Sequence, residues 1–136
     1  MSSLLDLVAS SERYVNELSD GQKLRAAATR IVSVATSSGA THLLAASPAA
    51  ERLVGAALLV SPGLRALMYA QADMDVIGQQ VLVVDVNLAS GTGIANAARR
   101  ARQAGARRVA AAALHALPSA VGPDECGVDS LEIVES

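Results

Sequence analysis

The sequence predicts an α/β protein, a parallel sheet of about five strands with helices on both faces. Three observations lead there. Short apolar runs of strand length alternate with longer stretches of helical periodicity. That order places successive strands parallel, joined by right-handed crossovers. One strand also runs directly into a glycine-rich loop and a helix, a common form of anion site in such sheets.

The elements follow in order. Ser2 and Ser3 cap a first helix through Leu4, Leu5, Leu7 and Val8 towards Leu18. Asp20 opens a second, whose apolar positions Leu24, Ala27, Ala28, Ile31, Val32 and Ala35 lie on one face, and Ser37-Ser38-Gly39 stops it. His42 to Ala46 has the length of a strand covered on both faces. Ser47-Pro48 then supplies a capping hydroxyl and a proline at the first helical position, for a helix through Leu53, Val54, Ala57 and Leu58 that ends at Ser61-Pro62-Gly63. Ala66 to Ala70 is a second short strand, and Gln71 to Gly78 a polar connector. Val81 to Val84 is the clearest strand, ending in Asp85. The following helix has Ile94, Ala97, Ala98 and Ala101 on its inner face, with Arg99, Arg100, Arg102 and Gln103 outside and Gly105 as its stop. Strands at 109–114 and 130–134 complete the sheet, separated by a loop from His115 to Gly127.

The length of 136 residues fits one domain, with residues 1–19 as an N-terminal helical extension and 20–136 as the α/β core. Tyr14 and Tyr69 are the only aromatics, so the core must be aliphatic, and the chain has little to offer for base stacking. A net charge of −2 argues against nucleic-acid and anionic-membrane partners. The N-terminal residues show no signal peptide, and no apolar run reaches the length of a membrane span, which makes the cytoplasm the expected location. Cys126 is the only cysteine, and His42 and His115 are far apart, so no metal cluster is expected. Cys126 and His42 read as structural, and His115 follows a strand on the ligand side of the sheet. Asp73 and Asp75 read as a solvated acidic loop, with a metal pair the lesser alternative. The arginines from Arg99 to Arg108 read mainly as a solvated face suited to a helix C-terminus, with anion binding a minor reading.

The chemistry concentrates between Val81 and Gly105. The helix presents unpaired N–H groups and a positive dipole end to the loop, Gly91 and Gly93 permit close backbone approach, and Ser90 and Thr92 add hydroxyls. Asp85 could accept hydrogen bonds from sugar hydroxyls. There is no lysine after the glycine, as a Walker A loop requires, and the spacing is not that of a dinucleotide fingerprint.

The run Val81-Leu82-Val83-Val84-Asp85-Val86-Asn87-Leu88-Ala89-Ser90-Gly91-Thr92-Gly93-Ile94 resembles the ribose-phosphate motif of type I phosphoribosyltransferases. The order of elements from Asp20 onward is closest to orotate-type members. The resemblance covers roughly residues 20–115 in element order and is specific over 81–105. It implies that Ala89, Ser90, Gly91, Thr92 and Gly93 hold a ribose 5-phosphate, with Asp85 on a ribose hydroxyl; Asn87 could stand in for the family's second acid only after a small loop shift. It also implies a phosphorylated ribose or nucleotide as partner, Mg²⁺ accompanying phosphoribosyl pyrophosphate, and a homodimer as the assembly to test.

Three departures accompany the resemblance. The family's second acid is Val86 here. The pyrophosphate loop corresponds to Ser47, Ala49 and Ala50, with no glycine and with Glu51 beside it. The long basic loop that precedes the motif strand in active members is reduced to Gln71–Gln80, which has no Lys or Arg, and the N-terminal region is short for a base-binding hood. The expected function is therefore a phosphoribosyltransferase-like domain that binds a ribose 5-phosphate compound with weak or absent transfer, its catalytic residues undefined. Two alternatives stand beside it. One is an active orotate-type enzyme completed by a second subunit; the other is a non-catalytic interaction or regulatory module.

Overall fold

A computed structural model describes residues 18–118 and 120–134. The expected first helix lies outside these residues, apart from its end near Leu18. The sequence of elements is α1 (Gly21–Ser38), β1 (His42–Ala45), α2 (Ala50–Val60), β2 (Arg65–Leu67), β3 (Gln80–Leu88), α3 (Thr92–Gln103), β4 (Arg108–Ala116), α4 (Pro123–Cys126) and β5 (Leu131–Ile133). The five strands form one sheet in the order β2-β1-β3-β4-β5, and every pairing is parallel.

Local chemistry sets the boundaries of α1. Asp20 accepts from the N–H groups of Gln22 and Lys23 at 2.9 and 3.0 Å. Gly39 ends the helix in the left-handed conformation, with its N–H on the Ala35 and Thr36 carbonyls. Asp20→Ala should therefore destabilise the protein by about 1 kcal/mol. Urea denaturation checks this, and an unchanged midpoint would show that the cap contributes nothing.

Side chains alternate across the strands, so each strand serves two cores. Leu43, Ala45, Leu82, Val84, Ala110 and Ala112 pack against α1 and α2. Leu44, Val81, Val83, Ala111 and Ala113 pack against α3 and Cys126 of α4. The small side chains of Ala110 to Ala113 let helices approach both faces of β4 closely, which is how a core almost without aromatics closes.

Four expectations need correction. The motif strand does not end at Asp85: β3 continues to Leu88 because β4 runs to Ala116 and pairs with it throughout. The second helix of the core starts at Ala50, two residues late, since Ser47, Pro48 and Ala49 form the turn before it. β2 is only Arg65–Leu67. The loop after β4 contains α4, a short helix that sequence reading missed.

The connector before β3 is also more than polar linker. Val76 is fully buried against the α3-side core, and the Gly78 N–H bonds to the Gly105 carbonyl at 2.9 Å. Among the described residues no helix is long and apolar enough to cross a membrane.

Candidate functional site

β1 leads outward to β2, whereas β3 leads the other way to β4 and β5. The β1/β3 boundary is thus the topological switch point, where the two loops diverge and leave a crevice beyond the strand ends. β1 stops at Ala45 beside Val84, so Asp85 emerges over that crevice while still paired to Ala113 on its other side.

Asp85 is half-buried, on the α3 face of the sheet. Its Oδ1 accepts from the Ser47 hydroxyl and from the Val86 N–H, both at 2.8 Å. A Cβ on Gly93 would lie 3.6 Å from Oδ2 and 3.3 Å from the Ala46 carbonyl oxygen, so the first turn of α3 rests directly on this carboxylate. Among the described residues Oδ2 has no hydrogen-bond donor. Burial raises the Asp85 pKa above the usual carboxylate value; the bonds from Ser47 and Val86 act the other way without cancelling it.

The loop residues follow. Gly91 is left-handed, with φ 78°, and caps α3. The Ala95 N–H closes the first helical bond, onto Gly91. That leaves the N–H groups of Thr92, Gly93 and Ile94 as the initial orphan donors. Only Thr92 has an acceptor among the described residues, a long 3.4 Å contact to the Ser90 hydroxyl. The Ser90 and Thr92 hydroxyls lie 3.0 Å apart at the surface. Bare donors, a dipole end and two hydroxyls can hold a phosphate.

Gly91 also has a packing role that the sequence did not show. A Cβ there would meet Val121 Cγ2 at 2.6 Å and Cys126 Sγ at 2.7 Å, so its lack of a side chain admits the α4 segment. That segment backs the loop: the Val121 N–H reaches the Ala89 carbonyl and the Leu117 N–H reaches Leu88. The clue in the sequence was Gly122-Pro123 followed by Glu125, whose carboxylate accepts from the Gly122 N–H at 2.9 Å.

Asn87 does not lie in a loop. It sits in β3 opposite His115, and its Oδ1 is buried without a donor among the described residues, so no loop shift can bring it to the position of a second acid. Val86 points to the opposite face, 2 % exposed in the core with α1 and α2. A carboxylate substituted there would be buried in hydrocarbon, away from the crevice.

The pyrophosphate-loop residues are committed locally. The Ser47 hydroxyl bonds Asp85 and accepts from the Ala50 N–H. Ala49 stands at the N-cap position of α2, and Ala50 is fully buried. Glu51 turns away from the crevice and accepts from the Tyr69 N–H at 2.9 Å. Arg100, expected on a solvated face, is half-buried and donates to the carbonyls of Tyr69 and Gln71. Together Glu51 and Arg100 clasp the turn after β2. His42 is buried at the start of β1, far along the strand from the crevice, and desolvation together with Arg65 lowers its pKa.

No protein-family model matches the chain, and no curated protein matches it significantly. Among solved structures it is similar to adenine phosphoribosyltransferase from Saccharomyces cerevisiae, in complex with D-2,5-dideoxy-2,5-imino-altritol 1,6-bisphosphate and adenine. The TM-score is 0.65, with 16 % identity over 83 % of this chain and 77 % of that one. The fold is that of a type I phosphoribosyltransferase. Its parallel five-strand sheet and flanking helices carry the Ser90–Gly93 loop at the carboxyl edge, beside Asp85.

Proposed function

We propose that this chain is a phosphoribosyltransferase-like domain that binds a ribose 5-phosphate compound at Asp85–Gly93, with weak or absent transfer of its own. The observation that carries the reading is the uncapped N-terminus of α3, flanked by the Ser90 and Thr92 hydroxyls and seated on the Asp85 carboxylate at the switch point. The phosphate takes the N–H groups of Gly93 and Ile94; Asp85 Oδ2 takes a ribose hydroxyl. The solved neighbour is in complex with an imino-altritol bisphosphate, which like ribose 5-phosphate is a phosphorylated five-membered-ring sugar analogue, and adenine.

Weak transfer follows from three features. Val86 supplies no second acid, the Ser47–Ala50 turn spends its polar groups internally, and the segment before β3 is pinned by Val76 and Gly78 rather than free to close over a reacting centre. Mg²⁺ enters only with phosphoribosyl pyrophosphate. The domain comprises residues 20–136 with an N-terminal extension, follows the orotate-type order of elements, and works in the cytoplasm on small molecules. A homodimer is the assembly in which a neighbouring copy would complete an active site.

Thr92→Glu tests the reading. Thr92 is exposed, and an acid in the first turn suits the helix dipole, so stability should hold or rise by about 0.5 kcal/mol. Affinity for ribose 5-phosphate in calorimetry should fall at least about tenfold, since a carboxylate then faces the phosphate. Saturable binding in the wild type that survives unchanged in the variant would remove the ligand from this loop.

A further inference from the structure

We infer that Ser47 is a positioning residue for the sugar: its hydroxyl fixes the Asp85 carboxylate so that one oxygen stays turned to the crevice. The inference rests on the function just proposed, and it gives the turn after β1 a task directed at Asp85. The two oxygens of Asp85 have different surroundings. Oδ1 accepts from the Ser47 hydroxyl and from the Val86 N–H, both at 2.8 Å. Oδ2 lies against the Gly93 position at the start of α3 and has no donor among the described residues. The Val86 bond comes from the adjacent residue of the same strand. Alone it leaves the carboxylate free to swing about its Cβ–Cγ bond, a torsion with only a broad preference. Ser47 reaches Oδ1 from across the switch point, 38 residues away in the chain, and removes that freedom.

Ser47 is itself held. It is half-buried, and its oxygen accepts from the Ala50 N–H at 3.2 Å while its proton goes to Asp85. Pro48 disfavours helical backbone at the residue before it, so Ser47 stays outside the first turn of α2. One hydroxyl thus ties the start of α2 to the carboxylate. No charged side chain competes with this bond. β1 ends in Leu44 and Ala45, the first turn of α3 is Thr92 to Ala95, and the β4 partner of Asp85 is Ala113. Glu51 of α2 is turned to the Tyr69 N–H, and Arg100 of α3 to the Tyr69 and Gln71 carbonyls. His115 stands opposite Asn87, two residues further along β4, and Cys126 of α4 faces Gly91. Burial raises the Asp85 pKa and the Ser47 bond lowers it, so loss of the hydroxyl raises it further.

The test compares wild type, Ser47→Ala and Ser47→Thr. Calorimetry with ribose 5-phosphate runs from the carboxylate range up to neutral pH, and NMR follows the Asp85 carboxyl carbon in ligand-free protein. At neutral pH Ser47→Ala should weaken binding about fivefold, the worth of one hydrogen bond. It should also move the NMR titration, and with it the acid limb of the binding profile, to higher pH. The ligand phosphate titrates alike with every variant, so the comparison between them isolates Asp85. Ser47→Thr keeps the hydroxyl and should restore both readouts. A serine that served only to cap α2 would lower the thermal midpoint in Ser47→Ala and leave the titration and the acid limb in place.

That result, an unchanged affinity in folded Ser47→Ala, or a threonine variant that titrates like the alanine one would overturn the positioning role and leave the phosphate loop standing. Should Ser47→Ala fail to fold, Ser47→Cys, similar in size but a weak donor, carries the same expectations. Failure of ribose 5-phosphate to bind the wild type at millimolar concentration would overturn the ribose site itself, and the role of Ser47 with it.

Discussion

Gly91→Ala is expected to destabilise the protein by about 3 kcal/mol, combining overpacking with a left-handed φ. A Cβ would sit 2.6 Å from Val121 Cγ2 and 2.7 Å from Cys126 Sγ, inside contact distance for both. Neither neighbour yields easily. Cys126 is fully buried in the α3-side core, and Val121 is held by its N–H on the Ala89 carbonyl. The φ of 78° adds strain for any L side chain. Urea denaturation would show the loss as a lowered midpoint at constant slope. A loss below about 1 kcal/mol would mean that the α4 segment gives way and does not hold the loop. The same substitution changes no donor at the α3 N-terminus, so folded variant protein should still bind ligand, with stability and affinity separating cleanly.

Asp85→Asn should move stability and affinity in opposite directions. Because burial raises the pKa of Asp85 in the folded state above its unfolded value, the folded state binds the extra proton between those two values. The contribution of this group is thus fully present below the unfolded pKa and is lost as pH rises through the folded pKa. At neutral pH the ionised carboxylate is retained at a cost. An asparagine keeps an acceptor for Ser47 and Val86 without the buried charge, so the variant should be more stable at pH 7 by about 1 kcal/mol. The gain should shrink on acidification into the carboxylate range, where wild-type Asp85 is protonated. Affinity for ribose 5-phosphate should fall about tenfold or more, as the charged acceptor facing Gly93 becomes an amide. Thermal unfolding across pH and calorimetry read the two effects. A variant less stable than wild type at pH 7 would show that the bonds from Ser47 and Val86 outweigh the desolvation.

Much of the framework was legible in the residues. Asp20 and Gly39 bound α1 through contacts within a turn of themselves, and the apolar stripe Ile94, Ala97, Ala98, Ala101 buries as its spacing requires. The strand–loop–helix run was legible for the same reason: strand, glycine, hydroxyl and helix start are consecutive in the chain. Such signals are local, and local chemistry survives folding when nothing larger opposes it.

What folding alone decided are the pairings between distant residues. Arg100 looked like one more cation on an exposed face, but α3 lies beside the turn after β2 and the guanidinium finds two carbonyls about thirty residues away. Glu51 looked like a charge in a pyrophosphate loop; the packing of α2 aims it at Tyr69 instead. β3 outran its expected end because strand length depends on the partner available, and β4 offered one to Ala116. That extension places Asp85 and Asn87 in the sheet and sends Val86 into the opposite core. By itself the sequence determined the parallel α/β order, the two ends of α1 and the strand–loop–helix run around Gly91, each written in neighbouring residues. Only the tertiary structure decided which face each side chain meets and which charges are spent, because those depend on contacts that exist only once the sheet has closed.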